Sequence, residues 1–171
     1  MECESQFPNR HTIRLQGFDY SLAGAYFVTI RTHHSRKCLS TVTDGHLFIS
    51  AVGRIVQNTW LELPNHYPGI RIDAFVIMPD HVHGIIVLGD DVEQGVVSGQ
   101  GKVYGLPEIV RAFKSFSARR INLLEKTTGK PFWQRGYFER IIRNEDEWGK
   151  IREYILANPC NWPKEEKPDF L

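Results

Sequence analysis

The run His81-Val82-His83 opens the segment HVHGIIVL. On a β-strand alternate side chains share a face, so both imidazoles would point one way while Val82 and Gly84 point the other. Two histidines roughly 6 to 7 Å apart along a strand can converge on one metal ion. The same pattern also fits two ordinary histidines at a strand entrance. Further along, Tyr154 and Asn158 stand four residues apart, one helical turn from each other. A tyrosine hydroxyl, with an ordinary pKa near about 10, is an oxygen nucleophile that can leave a covalent phosphoester on the protein. A half-buried packing tyrosine would show the same spacing.

These residues need elements to position them. Gly24 to Thr32 alternates and is rich in aromatic and β-branched residues, which reads as a strand. Apolar runs around Cys38 to Val42 and Leu47 to Ile49 flank Asp44-Gly45, a hairpin signal. Ser50 then caps a helix with Val52, Ile55, Val56, Thr59 and Leu63 at helical spacing, which Pro64 should stop. Ile70 to Met78 and His81 to Leu88, separated by Pro79-Asp80, read as neighbouring antiparallel strands. Gly89 to Gly105 is glycine-rich and without periodicity, the pattern of a mobile loop.

Pro107 suits the first turn of a helix carrying Ile109, Val110, Phe113, Phe116 and Ile121 on one face. Tyr137 to Ile142 reads as a last strand, leaving Tyr137 as a competing tyrosine in a strand context. The final helix should start after Asn144, with Glu147 in the manner of a capping box, and end at Asn158-Pro159. Its buried stripe is expected at Trp148, Ile151, Ile155 and Leu156, with Tyr154 and Asn158 along the border. Without the hairpin and last helix the order is βαββαβ, so the expected class is α+β: a ferredoxin-like (split βαβ) antiparallel sheet with an inserted hairpin and a C-terminal helix carrying the tyrosine. In that topology the strand of His81 and His83 is central.

With 171 residues, 42% hydrophobic and 24% charged, the chain suits one domain over residues 1–171, with 160–171 as a tail. No apolar run approaches the roughly 18 to 20 residues that span a bilayer, and the start from Met1 to Arg10 is polar. A soluble protein without a membrane partner is expected. Cys3, Cys38 and Cys160 form no C-x-x-C pair, which fits a reducing cytoplasm. Charge is unevenly spread: from Arg111 to Arg143 nine basic residues face two acidic ones, a net of +7 within an overall +1. Such a stretch suits a polyanion, and it equally suits solvated helix faces.

Taken together, a strand with a histidine pair, a basic helix and a helix bearing Tyr-x-x-x-Asn resembles the HUH single-tyrosine transposases, in particular the REP-associated tyrosine transposases. The resemblance runs through Arg14 to Thr29, Asp73 to Leu88 (DAFVIMPDHVHGIIVL), Ile109 to Arg120 (IVRAFKSFSARR) and Pro131 to Pro159. It implies that His81 and His83 hold a divalent metal, magnesium or manganese, and that Tyr154 is the nucleophile. Asn158 stands where many relatives place a glutamine that completes the metal site; its shorter amide is the candidate third ligand, through its carbonyl oxygen, and the departure from the pattern. The implied partner is single-stranded DNA with a hairpin, acted on by a monomer or homodimer, with a 5′-phosphotyrosine intermediate.

Arg111, Lys114 and Arg119, with Arg140 and Arg143, are the candidates for phosphate contacts. Phe132 and Trp133 could stack on unpaired bases or pack on the core. Two other functions stay open on the residues alone. One is a nucleic-acid-binding module without catalysis, although no RNP-type aromatic motif is present. The other is a metal-dependent hydrolase that uses activated water.

Overall fold

The computed structural model describes residue 19 and residues 22–89 and 104–162. Most of the glycine-rich stretch and of the tail therefore lies outside the described residues. Along the chain come β1 (Gly24–Arg31), β2 (Ser40–Thr43), β3 (His46–Ile49), α1 (Ala51–Leu61), α2 (Leu63–His66), β4 (Ile70–Ile77), β5 (His81–Leu88), α3 (Leu106–Glu125), β6 (Phe138–Ile142) and α4 (Glu145–Asn161). The main sheet has the order β4-β5-β1-β6, with every neighbouring pair antiparallel. This is the expected ferredoxin-like arrangement, with β1 and β5 in the middle. Strands β2 and β3 pair separately through Asp44-Gly45, both at positive φ, the backbone a two-residue hairpin turn needs.

Alternation along the strands sends residues to two layers. Tyr26, Val28, Ile30, Ile77, Val82 and Ile86 join Val56 and Trp60 of α1 and Ile109, Phe113 and Ile121 of α3. Ala25, Phe27, Ile85 and Ile142 face the other way and meet Ile151 and Ile155 of α4. Both sides of β5 are thus covered, which is why its sequence reads as a nearly continuous apolar run. Gly84 lies on the α1 side, where a Cβ would come within 2.5 Å of Trp60 Cζ2 and 3.2 Å of Phe75 Cβ. The indole occupies the space a side chain would need, directly behind the strand that carries the histidines.

Several expectations are corrected. Pro64 does not stop α1; α1 ends at Leu61, and Pro64 sits in the first turn of α2, where a missing N–H costs nothing. Phe116 is 47% exposed, because the buried row of α3 continues from Phe113 through Ser117 to Ile121. Leu156 is 71% exposed and Asn158 is buried. At about 100° per residue, Leu156 lies roughly 140° from Ile151 around the helix and Asn158 only about 20° away. Helix α4 also runs through Pro159 to Asn161, taking in the first residues assigned to a tail. Burial of Ile151, Ile155 and Asn158 against the sheet outweighs the local preference of a residue before proline.

Gly84→Ala should destabilise the protein by about 1 to 3 kcal/mol through overpacking against Trp60. Urea unfolding would show this as a lower midpoint; an unchanged midpoint would contradict the close packing behind β5.

Candidate active site

Strand β5 is hydrogen-bonded to β4 on one edge and β1 on the other, so its side chains can only leave up or down. His81 and His83 leave together on the α4 side, are 0% and 3% exposed, and bring their Nε2 atoms to 3.0 Å. His81 Nδ1 lies 2.6 Å from Asp80 Oδ1. An ionised carboxylate only accepts, so the ring donates from Nδ1, and Nε2 is bare when the ring is neutral. Thr29, opposite His83 in the β1–β5 register, places Oγ1 2.8 Å from His83 Nδ1.

Burial, aided by the charges of His81 and Arg31, pushes the His83 imidazole well below its ordinary pKa. It is therefore neutral at pH 7, the form that ligates metals. If both facing nitrogens are bare, their lone pairs repel at 3.0 Å, so the geometry calls for a proton or a cation there. Burial alone would raise the Asp80 pKa. The hydrogen bond from His81 and the charges of His81 and Arg31 outweigh it and hold the carboxyl below its usual range.

Helix α4 covers this pair. Asn144 caps it by accepting from the Glu147 N–H at 2.8 Å. Glu147 in turn accepts from the Arg143 N–H and from Arg140 rather than from the cap residue's own N–H, so the box is shifted by one residue. The Tyr154 hydroxyl reaches 3.2 Å from His83 Nε2. Phe27, fully buried, supports both rings, stacked on His83 at 5.4 Å and edge-on to Tyr154 at 6.1 Å between centroids.

One turn after Tyr154 comes Asn158, and one turn after that Trp162, whose ring lies 6.2 Å from His81. Asn158 thus lies on the helix side between the contact to His83 and the contact to His81. Its Oδ1 is buried without a hydrogen-bond partner, a cost that a ligand would remove. Among the described residues no three His, Cys, Asp or Glu side chains form a metal-binding group. The donor set is two imidazoles and an amide.

The position of α4 depends on an irregularity in β4. Its register against β5 shifts between Ile72 and Phe75, so Asp73 and Ala74 together oppose Ile85. The bulge turns Asp73 toward α4. There it accepts both Arg152 Nε and Arg152 Nη2 at 2.7 Å, and the Trp148 indole N–H. Burial raises its pKa, but these hydrogen bonds win, and the carboxyl lies below its usual range.

Thr29, Phe27, Asp73 and Asp80 went unrecognised in the sequence. Asp80 reads as a turn residue beside Pro79, although an acid immediately before a histidine pair was a usable signal. Tyr137 packs in the α1–α3 layer, on the face away from the histidines. Phe132 and Trp133 are each 6% exposed, and the Trp133 indole donates to Ser117, so both are core rather than stacking surfaces.

The basic candidates divide between the two faces. Arg111 and Arg119 are exposed on α3; Arg140, at the α4 side, is paired with Glu147; Arg143 is exposed beyond β6. Lys114 donates to the carbonyls of Gln134 and Arg135 at 2.6 and 2.8 Å, which commits two of its three donors to the fold.

A family model for IS200-like transposases matches residues 46–158, a stretch that contains His81, His83, Tyr154 and Asn158. The chain belongs to the IS200-like transposase family. A Haemophilus influenzae protein described as uncharacterized is 30% identical over 172 residues, 92% of this chain and 92% of its own length. Another from the same organism, provisionally named a REP-associated tyrosine transposase, is 25% identical over 142 residues, 82% of this chain and 73% of that protein. A solved REP-associated tyrosine transposase bound to a REP hairpin matches with a TM-score of 0.61 at 19% identity, over 86% of this chain and 74% of that one. This IS200-like transposase therefore shares its fold with that protein. No helix among the described residues is long and apolar enough to cross a membrane.

Replacing Asp73 with Asn should cost about 1 to 2 kcal/mol at pH 7, because a charged acceptor for Arg152 and Trp148 is lost. A depressed folded pKa gives stability that is present above the unfolded value of about 4 and lost as pH falls through the folded value. Thermal melts should therefore show the gap between wild type and Asp73→Asn closing on acidification below about pH 4. A gap that stayed constant would contradict the charge pairing.

Proposed function

We propose that this IS200-like transposase is a metal-dependent DNA strand transferase that cleaves and rejoins single-stranded DNA near hairpins through a 5′-phosphotyrosine on Tyr154. The observation that carries the reading is the Tyr154 hydroxyl 3.2 Å from Nε2 of a buried histidine of its own chain. That contact brings the hydroxyl against the histidine pair of the same chain.

The donors suit a divalent cation. The two Nε2 atoms face each other at 3.0 Å, close enough for one cation to be held by both. The buried Asn158 Oδ1 supplies an oxygen that has no other partner. His81, His83 and Asn158 would hold the ion, and the amide oxygen together with substrate phosphate favours magnesium or manganese over softer metals. When bound, such an ion acts as a Lewis acid on the scissile phosphate.

The chain's own part is to place the nucleophile. The Tyr154 Oη attacks phosphorus in line with the departing 3′ oxygen; the O–P bond to tyrosine forms as the bond to the 3′ oxygen breaks, and that oxygen leaves as a 3′-OH. The proton released by Tyr154 balances the one taken up by the leaving group. A second 3′-OH reverses the step and joins strands without a nucleotide cofactor, because the phosphoester keeps the bond energy. The helix clamp at Asp73 orients the tyrosine. A relative was solved with a REP hairpin bound, and this supports hairpin DNA as the substrate class here. Arg111, Arg119 and Arg143 are exposed for phosphate contacts, and their use would make binding steeply salt-dependent.

On a denaturing gel, wild type with labelled single-stranded hairpin oligonucleotides and Mg²⁺ or Mn²⁺ should give a slow covalent adduct. Tyr154→Phe should give none, and Tyr137→Phe should behave as wild type. Release of two free ends with no adduct in any variant would favour the hydrolase instead. His81→Ala and His83→Ala should each lower cleavage by about two orders of magnitude or more, with hairpin affinity changed little. Full cleavage by either at low metal would refute the ligand assignment.

A further inference from the structure

The two histidines are held unequally. Asp80 Oδ1 takes the His81 Nδ1–H at 2.6 Å, and Oδ2 takes Arg31 Nη1 at 3.2 Å. Asp80 is 5% exposed, and its backbone is fixed as well, with its carbonyl accepting from the Thr32 N–H at 2.8 Å and from Thr32 Oγ1 at 3.0 Å. Arg31 itself stands opposite His81 in the β1–β5 register. The carboxylate is therefore tied to β1 by side chain and main chain before it meets the imidazole. His83 Nδ1 meets instead the Thr29 hydroxyl at 2.8 Å. A hydroxyl can donate or accept, so it accommodates either ring tautomer.

We infer that Asp80, braced by Arg31, is a positioning residue that presets His81 as the anchoring ligand, with its Nε2 lone pair aimed into the site, whereas His83 is free to adapt. The ligand part of this inference rests on the metal reading given above. Without the carboxylate, the neutral His81 ring divides between two tautomers, one of which points an N–H at the position a cation would take. Outer partners of this kind tune metal affinity by about 10- to 100-fold.

The test uses ¹⁵N-histidine NMR of the metal-free protein and Mn²⁺ titration by electron paramagnetic resonance, on wild type, Asp80→Ala and Asp80→Asn. Wild type should show His81 protonated at Nδ1. Asp80→Ala should lose that preference and bind Mn²⁺ about 10- to 100-fold more weakly. Asp80→Asn keeps an acceptor oxygen without the charge, so it should keep the tautomer and fall between the two in affinity; it also serves if the alanine variant fails to fold.

Unchanged Mn²⁺ affinity in every variant that folds would overturn the inference, as would a His81 still protonated at Nδ1 in Asp80→Ala. A wild type with the expected tautomer but no Mn²⁺ binding would refute the metal reading and the ligand role with it. A tautomer shift in Asp80→Ala would then uphold only the orienting role.

Discussion

Two-sided pairing of β5 is the constraint on which the rest of the structure depends. A strand bonded to β1 and β4 along both edges cannot roll, so the alternation of its side chains is fixed. Val82, Gly84 and Ile86 must serve the α1–α3 layer, and His81 and His83 must serve the other. A slip of one residue would bury both histidines against Trp60 and leave the α4 side without donors. The close fit of Trp60 over Gly84 resists such a slip.

The second half of the site is brought by α4, and no hydrogen bond of the sheet ladder holds it there. Ile151 and Ile155 provide area, which is non-directional. Direction comes from polar contacts at the flanks: Glu147 with Arg140 near the first turn, and Asp73 with Trp148 and Arg152 one turn further on. Asp73 can reach α4 because of the bulge that re-aims it, so an irregular edge strand ends up setting the position of Tyr154. For an IS200-like transposase this division is useful. The two histidines sit on the rigid element, and Tyr154 sits on an element clamped from outside the site.

Much of this was legible in the sequence, and for identifiable reasons. The strands, the Asp44-Gly45 hairpin and the order βαββαβ follow from periodicity and turn chemistry, which are local. The histidine pair was legible because period two is unambiguous in a long apolar strand. What could not be read were contacts between elements far apart in the chain. Asp73 meets α4 across more than seventy residues, and Thr29 meets His83 across more than fifty. The burial of Asn158 and exposure of Leu156 follow from helical geometry, whereas the expected stripe puts Leu156 inside and Asn158 on its border. That anomaly, a polar amide where a leucine would pack, is itself a mark of the site.

The most direct test of the central claim is to locate the bond between protein and DNA. A hairpin oligonucleotide would be reacted with the wild-type protein, the mixture digested with protease, and the nucleotide-bearing peptide sequenced by mass spectrometry. The expected result is a 5′-phosphate ester on Tyr154, in the peptide from α4. An ester on Tyr137, on another residue, or to a 3′-phosphate would contradict it.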